Sequence, residues 1–182
     1  MKVLICDIPG LLILEPKVFG DARGFFVETW NQRRYREAGL AADFVQDNVS
    51  FSRRGTLRGL HFQNPNPQGK LLQVLTGEVF DVAVDIRRSS ATFGKWHGLV
   101  LTAENKRQFY IPPGFAHGFA VLSETALFHY KCAGFYSPKD ELAIRWDDPD
   151  IGIEWPLKEP VLSERDAKGL RLRDAPPERL FA

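Results

Sequence analysis

Hydrophobic and polar residues alternate most regularly over residues 79–86, where Phe80, Val82, Val84 and Ile86 interleave with Val79, Asp81, Ala83 and Asp85. A period of two marks a strand with one face toward a core. This segment is therefore expected to be half-buried, with Asp81 and Asp85 on one face. Shorter runs bounded by Gly, Pro or polar turns occupy residues 70–75, 96–101, 108–111, 118–122 and 126–132. Short strands at this spacing predict an all-β sandwich or barrel. Helical pattern is scarce. One short helix is expected over residues 31–38, closed by Gly39, and a second opens at Ser163 and ends near Gly169. The Ser163 hydroxyl and Asp166, three residues on, resemble a capping box. The Pro-rich stretch over residues 175–178 reads as a surface tail.

Composition narrows the function classes. The chain has 182 residues, of which 44% are hydrophobic and 26% charged, an ordinary globular balance that predicts one domain over residues 1–182. Twenty-four Lys and Arg against 23 Asp and Glu leave a formal charge of +1. No long-range field exists to gather nucleic acid or an anionic membrane surface, so any bound anion must be met by a local cluster. No run approaches the ~20 apolar residues that span a bilayer. The first 14 residues are broken by Asp7, Pro9 and Gly10 and lack the apolar core of a signal peptide. Cys6 and Cys132 lie far apart with no paired spacing, which fits small core residues in a reducing compartment. A cytoplasmic protein is the expectation.

Four histidines carry the candidate chemistry. His61 ends a strand-like run and faces a Gly- and Pro-rich loop that closes with Lys70, a position suited either to a general base or to a hydrogen-bonded structural His. His97 and His129 read as structural or exposed. Tyr130 shares a strand face with Ala126, Phe128 and Cys132, and is either a core phenol with a satisfied hydroxyl or a proton donor facing a pocket. Arg58 and His61 fall on opposite faces of a regular strand, so both reach one pocket only if the backbone bulges or twists at Gly59. His117 lies in Pro113-Gly114-Phe115-Ala116-His117, the Pro-x-Gly-x-x-His spacing of the second motif of cupins when read from Pro112. Metal-binding cupins supply His-x-His and a following Glu in their first motif, whereas this chain reads His61-Phe62-Gln63. That leaves too few strong ligands for a tight site, and a metal-free pocket is expected.

Several strings together resemble the dTDP-4-dehydrorhamnose 3,5-epimerase family. They include Arg23-Gly24-Phe25-Phe26-Val27-Glu28, Gln46-Asp47-Asn48, Leu57-Arg58-Gly59-Leu60-His61-Phe62-Gln63, Gln68-Gly69-Lys70-Leu71, Arg145-Trp146-Asp147-Asp148-Pro149 and Leu162-Ser163-Glu164-Arg165-Asp166-Ala167, with the His117 string between them. The strings run in order over nearly the whole chain. The resemblance implies a double-stranded β-helix, the cupin or jelly-roll barrel, with a few short helices. It also implies epimerisation of dTDP-4-dehydro-6-deoxyglucose (dTDP-4-keto-6-deoxyglucose) at C3 and C5.

The same resemblance implies roles for individual residues. His61 would be the general base, oriented by Asp166, with Lys70 beside the sugar carbonyl and Tyr130 as proton donor on the opposite face. Arg23 and Arg58 would meet the pyrophosphate, with Glu28, Gln46 and Asn48 around base and ribose. Tyr136 would stack on thymine, and His117, Glu141 and Arg165 would complete the binding set. No cofactor is implied, because the 4-ketone already acidifies its neighbours, and no Gly-x-Gly-x-x-Gly string follows a strand. Family members are usually homodimers, so a segment within residues 1–50 is expected to cross to the partner and carry Arg23 and Glu28 to its site. The loop from His61 to Lys70 is one residue shorter than is common, and Cys132-Ala133-Gly134-Phe135 replaces a more polar run. These departures keep open an enzyme acting at C3 or C5 alone. A metal-dependent cupin oxygenase and a non-catalytic carbohydrate-binding jelly roll are the readings from other classes.

Overall fold

Thirteen strands and one short helix account for the regular structure of the computed structural model, which describes residues 1–182. Ahead of the barrel strands come β1 (Lys2–Ile5), β2 (Leu12–Glu15), β3 (Val18–Asp21), β4 (Gly24–Val27) and the helix α1 (Gln32–Glu37). The remaining strands are β5 (Gln46–Arg53), β6 (Leu57–Gln63), β7 (Lys70–Thr76), β8 (Glu78–Asp85), β9 (Trp96–Thr102), β10 (Gln108–Ile111), β11 (Phe115–Val121), β12 (Thr125–Cys132) and β13 (Glu141–Ala143). Two sheets face each other, one of six strands in the order β1-β2-β10-β7-β12-β5 and one of five in the order β13-β6-β11-β8-β9. Every strand pairing is antiparallel, and from β5 to β13 the chain passes from one sheet to the other at each step except β8 to β9, which are neighbours in the five-stranded sheet, as in the cupin double-stranded β-helix.

Between the sheets, Leu72, Val74, Val79, Ala83, Phe109, Phe119 and Phe128 close one end of the barrel. Each large side chain removed from water there contributes roughly 1.5–3 kcal/mol. The expected alternation of β8 is correct but its half-burial is not. Val82, Val84 and Ile86 pack outward under the C-terminal segment, so both faces of the strand are covered. Asp81 and Asp85 do share one face, and both are fully buried. His117 satisfies the first, and Arg87, Ser90 and Thr92 satisfy the second. With three hydroxyl and guanidinium donors outweighing its burial, the Asp85 carboxyl is held at about 2.

The helix over 31–38 forms as expected. Asn31 is its N-cap and its side chain accepts from the Arg34 N–H, an arrangement worth about 1 kcal/mol. The helix is short because its burial is local: Tyr35 packs with Leu14, Leu40, Leu71 and Tyr110 on the outer face of the six-stranded sheet. The second expected helix is only a 3-10 turn over Asp166–Lys168. The Ser163 hydroxyl does accept from the Asp166 N–H, but the Asp166 carboxylate turns toward β6 instead of completing the box. The expected C-terminal tail is docked rather than free. Ala175 and Leu180 are buried against Phe62 and Ile86, and Asn64 and Arg179 exchange hydrogen bonds across the junction. Cys6 and Cys132 are buried free thiols, as expected.

Candidate active site

Next to the apolar cluster between the sheets, with Phe119 and Phe128 as its floor, the two sheets enclose a cavity of about 400 Å³. Strand register decides which side chains enter it. On the six-stranded sheet, Tyr130 pairs with Asn48 and Leu72, and Cys132 pairs with Gln46 and Lys70. Directly paired residues share a face, so Gln46, Asn48, Lys70 and Tyr130 all point inward. On the five-stranded sheet, His61 pairs with His117, and Arg58 pairs with Phe119.

Odd spacing should send Arg58 and His61 to opposite faces, and the bulge expected at Gly59 is what reconciles them. The β6–β11 register shifts between His117 and Phe119. Gly59 has φ +120°, and a Cβ there would lie 2.6 Å from Gly118 Cα and 2.6 Å from His117 O. Only glycine fits that approach. Arg58 and His61 consequently line the same cavity.

His61 is held by its far nitrogen. Its Nε2 lies 2.6 Å from Asp166 Oδ1. An ionised carboxylate only accepts, so the proton sits on Nε2 and Nδ1 is left basic. Burial pushes the Asp166 carboxyl up, but the hydrogen bond and charge of His61, the Ser163 hydroxyl and the Gly59 N–H together hold it below the usual range. Burial lowers the Lys70 ammonium, against the opposing pull of Cys132, Glu141 and Asp81, and it raises the Tyr130 phenol. Tyr130 is thus protonated at neutral pH. His61 and Tyr130 come from opposite sheets, so a ring bound between them presents one face to a base and the other to an acid.

His117 is more enclosed. Its Nε2 lies 3.0 Å from Asp81 Oδ2, and its ring stacks on Phe128 at 6.3 Å. Burial raises the Asp81 carboxyl, while the neighbouring His117 and Lys70 pull it down less strongly. At the mouth of the cavity, Glu141 Oε2 accepts from the Tyr136 hydroxyl at 2.7 Å and pairs with Arg165 at 2.6 Å. The Tyr136 N–H donates to Gln46 Oε1. No group of three or more His, Cys, Asp or Glu side chains converges on a metal-ligating geometry.

Eleven of the residues singled out in the sequence thus line this cavity. Arg23 and Glu28 do not. Arg23 sits near the tip of the β3–β4 hairpin, paired with Asp21 at 2.6 Å, and Glu28 pairs with Arg34 at 2.9 Å. Sequence reasoning missed Ser50, Gln68, Phe119, Phe128 and Ser163 in the lining. Continuing the inward alternation of Gln46 and Asn48 by two residues would have found Ser50, whose buried hydroxyl has no partner.

The sequence pattern of dTDP-4-dehydrorhamnose 3,5-epimerase matches residues 6–174. The chain belongs to this family. It is 58% identical to the dTDP-4-dehydrorhamnose 3,5-epimerase of Shigella flexneri, over 96% of this chain and 98% of that one. The enzyme of the same name from Pseudomonas aeruginosa is 56% identical over 96% of this chain and 98% of its own. Among solved structures, the 3,5-epimerase of Legionella pneumophila in complex with dTDP-4-keto-L-rhamnose superposes with a TM-score of 0.96 at 53% identity, covering 99% of this chain and 97% of that one. The match spans both sheets and every cavity-lining strand of this 3,5-epimerase family member.

Proposed function

We propose that this protein is an isomerase that converts dTDP-4-dehydro-6-deoxyglucose into dTDP-4-dehydro-L-rhamnose by epimerisation at C3 and C5. The observation that carries this reading is the His61–Asp166 pair on one sheet facing Tyr130 and Lys70 on the other across a single cavity. His61 Nδ1 removes the proton beside the C4 ketone, and Asp166 stabilises the imidazolium that forms. The Lys70 ammonium meets the enolate oxygen in a water-poor site, where single donors of this kind contribute roughly 2.7–4 kcal/mol. Tyr130 returns a proton to the opposite face. The ketone supplies the acidity, so this sequence needs no cofactor.

Arg58, Gln46 and Asn48 hold the diphosphate and nucleoside, Tyr136 stacks on the base, and His117, Glu141 and Arg165 complete the contacts. The forked guanidinium suits a diphosphate. Arg23 and Glu28 act in a neighbouring copy. The β3–β4 hairpin that carries Arg23 leaves Phe19, Phe25 and Phe26 54%, 62% and 67% exposed. The outer face of the six-stranded sheet likewise exposes Val49, Phe51 and Leu75. Apolar surface of this kind supports a homodimer. No helix is long and apolar enough to cross a membrane, and a nucleotide-sugar substrate together with unpaired thiols favours the cytoplasm.

Incubation with dTDP-4-keto-6-deoxyglucose tests the reading. Turnover is expected to survive a chelator and to disappear in His61→Ala. Stoichiometric iron, nickel or manganese in the active protein would favour the oxygenase reading, and unaltered sugar after long incubation would favour a binding module.

A further inference from the structure

Two epimerisations in one visit demand something a single one does not, and the inference below rests on the 3,5-epimerase reading. After the first exchange His61 carries an extra proton and Tyr130 lacks one. His61 must release that proton before it can attack the second carbon. Asp166 cannot take it, because its 2.6 Å bond occupies the other nitrogen. The released proton therefore leaves from Nδ1, the same atom that accepted it.

One carboxylate faces that atom. Glu141 Oε1 lies 3.9 Å from His61 Nδ1, and the Glu141 side chain is only 11% exposed. Its other oxygen, Oε2, is occupied by Tyr136 and Arg165. This division leaves Oε1 as the open acceptor and fixes its direction. The gap exceeds a direct hydrogen bond but suits one bridging water or a small rotation of the side chain. Ala143, two residues along β13, pairs directly with His61, so Glu141 is anchored on the neighbouring strand of the same sheet.

We infer that Glu141 is a positioning residue that acts through His61, relaying the abstracted proton from Nδ1 toward solvent between the two exchanges. The N–H bond on Nδ1 breaks, an O–H bond forms on Oε1, and the proton then passes to water at the cavity mouth beside the half-exposed Tyr136, while the Tyr130 phenolate regains from solvent water the proton it gave to the sugar. No electrons are exchanged with any partner. Neutralising this carboxylate slows the reset without removing the base, so the first carbon exchanges and the second lags.

The test follows the sugar by NMR in heavy water during incubation of dTDP-4-keto-6-deoxyglucose with the full-length protein. Wild type is expected to label C3 and C5 together. Glu141→Gln is expected to raise the ratio of singly to doubly labelled sugar at least tenfold, Glu141→Asp to give an intermediate ratio, and formate to restore double labelling in Glu141→Ala. A weakened substrate contact alone would raise KM and leave the ratio unchanged, and that result would overturn the proposal. So would a wild-type enzyme that labels one carbon only. Should Glu141→Gln fail to fold, Glu141→Asp decides by the same ratio. Absence of label at both carbons in wild type would instead defeat the epimerase reading itself.

Discussion

Two histidine–carboxylate pairs sit side by side on one ladder and differ in almost everything but composition. His61 and His117 are direct partners across β6 and β11, each held by its own aspartate. The His61 side chain is 25% exposed and its Nδ1, which makes no hydrogen bond, faces the cavity and Glu141 Oε1 at 3.9 Å, whereas the His117 side chain is 10% exposed and stacked against Phe119 and Phe128. Asp166 is held below the usual carboxylate range, and Asp81 is pushed above it. On the proposed mechanism, the same pair of residue types serves as a base where its carboxylate is well solvated by donors and its outer nitrogen faces a cavity. More enclosed, with its ring against Phe119 and Phe128, it makes part of the cavity wall. Chemistry follows from the surroundings of the pair and not from its presence.

The largest effect is expected from breaking the working pair. His61→Asn is expected to lower kcat by about 10²–10⁴-fold, the usual contribution of a positioned general base, with the melting temperature little changed. Steady-state turnover beside a thermal melt checks both halves. Next in size is Lys70→Met, which removes the charge proposed to meet the enolate. Its kcat is expected to fall roughly 10²–10³-fold. Because the lysine is desolvated, stability in urea is expected to hold or improve.

The wall pair should answer differently. His117→Leu leaves Asp81 buried without its partner, which costs about 1–3 kcal/mol. His61→Leu leaves Asp166 with its Ser163 and Gly59 donors and is expected to cost less. Urea unfolding of the two variants compares them directly, and equal losses would erase the distinction drawn between the pairs.

The smallest effect is in the pH dependence of stability. A carboxyl whose folded pKa is depressed binds fewer protons folded than unfolded. Asp166 therefore contributes stability that is present above its unfolded value near 3.8 and is lost as pH falls through its lower folded value. Asp81 is raised, so the sign reverses: stability falls as pH climbs from about 3.8 through its folded value. Asp81→Asn is expected to flatten the stability profile above pH 4, and Asp166→Asn to flatten it below. Unfolding free energies measured between pH 3 and 8 separate the two.

Much of the barrel was legible because alternation and turn residues report burial directly. The strand over Gln108–Ile111 forms at the expected bounds, and the irregularity at Gly59 follows from strand parity once the family resemblance puts Arg58 and His61 in one site. What alternation could not convey is burial created by distant partners. Alternation puts Asp81 and Asp85 on one face of a half-buried strand, but the partner of buried Asp81 is His117, 36 residues away, whereas Asp85 is met locally by Ser90 and Thr92. Asp166 failed as a helix signal for the same reason, since its carboxylate is engaged 105 residues away on His61. Family resemblance, not spacing, singled out Tyr136, Glu141 and Arg165, and the three do meet at the cavity mouth. Arg23 and Glu28 lie away from the cavity of their own chain, where no reading of one chain's geometry joins them to it.

On the proposed mechanism, His61 and Tyr130 work on opposite faces of one bound sugar beside its ketone. NMR of dTDP-4-keto-6-deoxyglucose incubated with the protein in heavy water tests this most directly. Solvent deuterium is expected at both C3 and C5, with inverted configuration at each and no label in the His61→Asn variant. Sugar recovered without deuterium from the wild-type protein would contradict the claim.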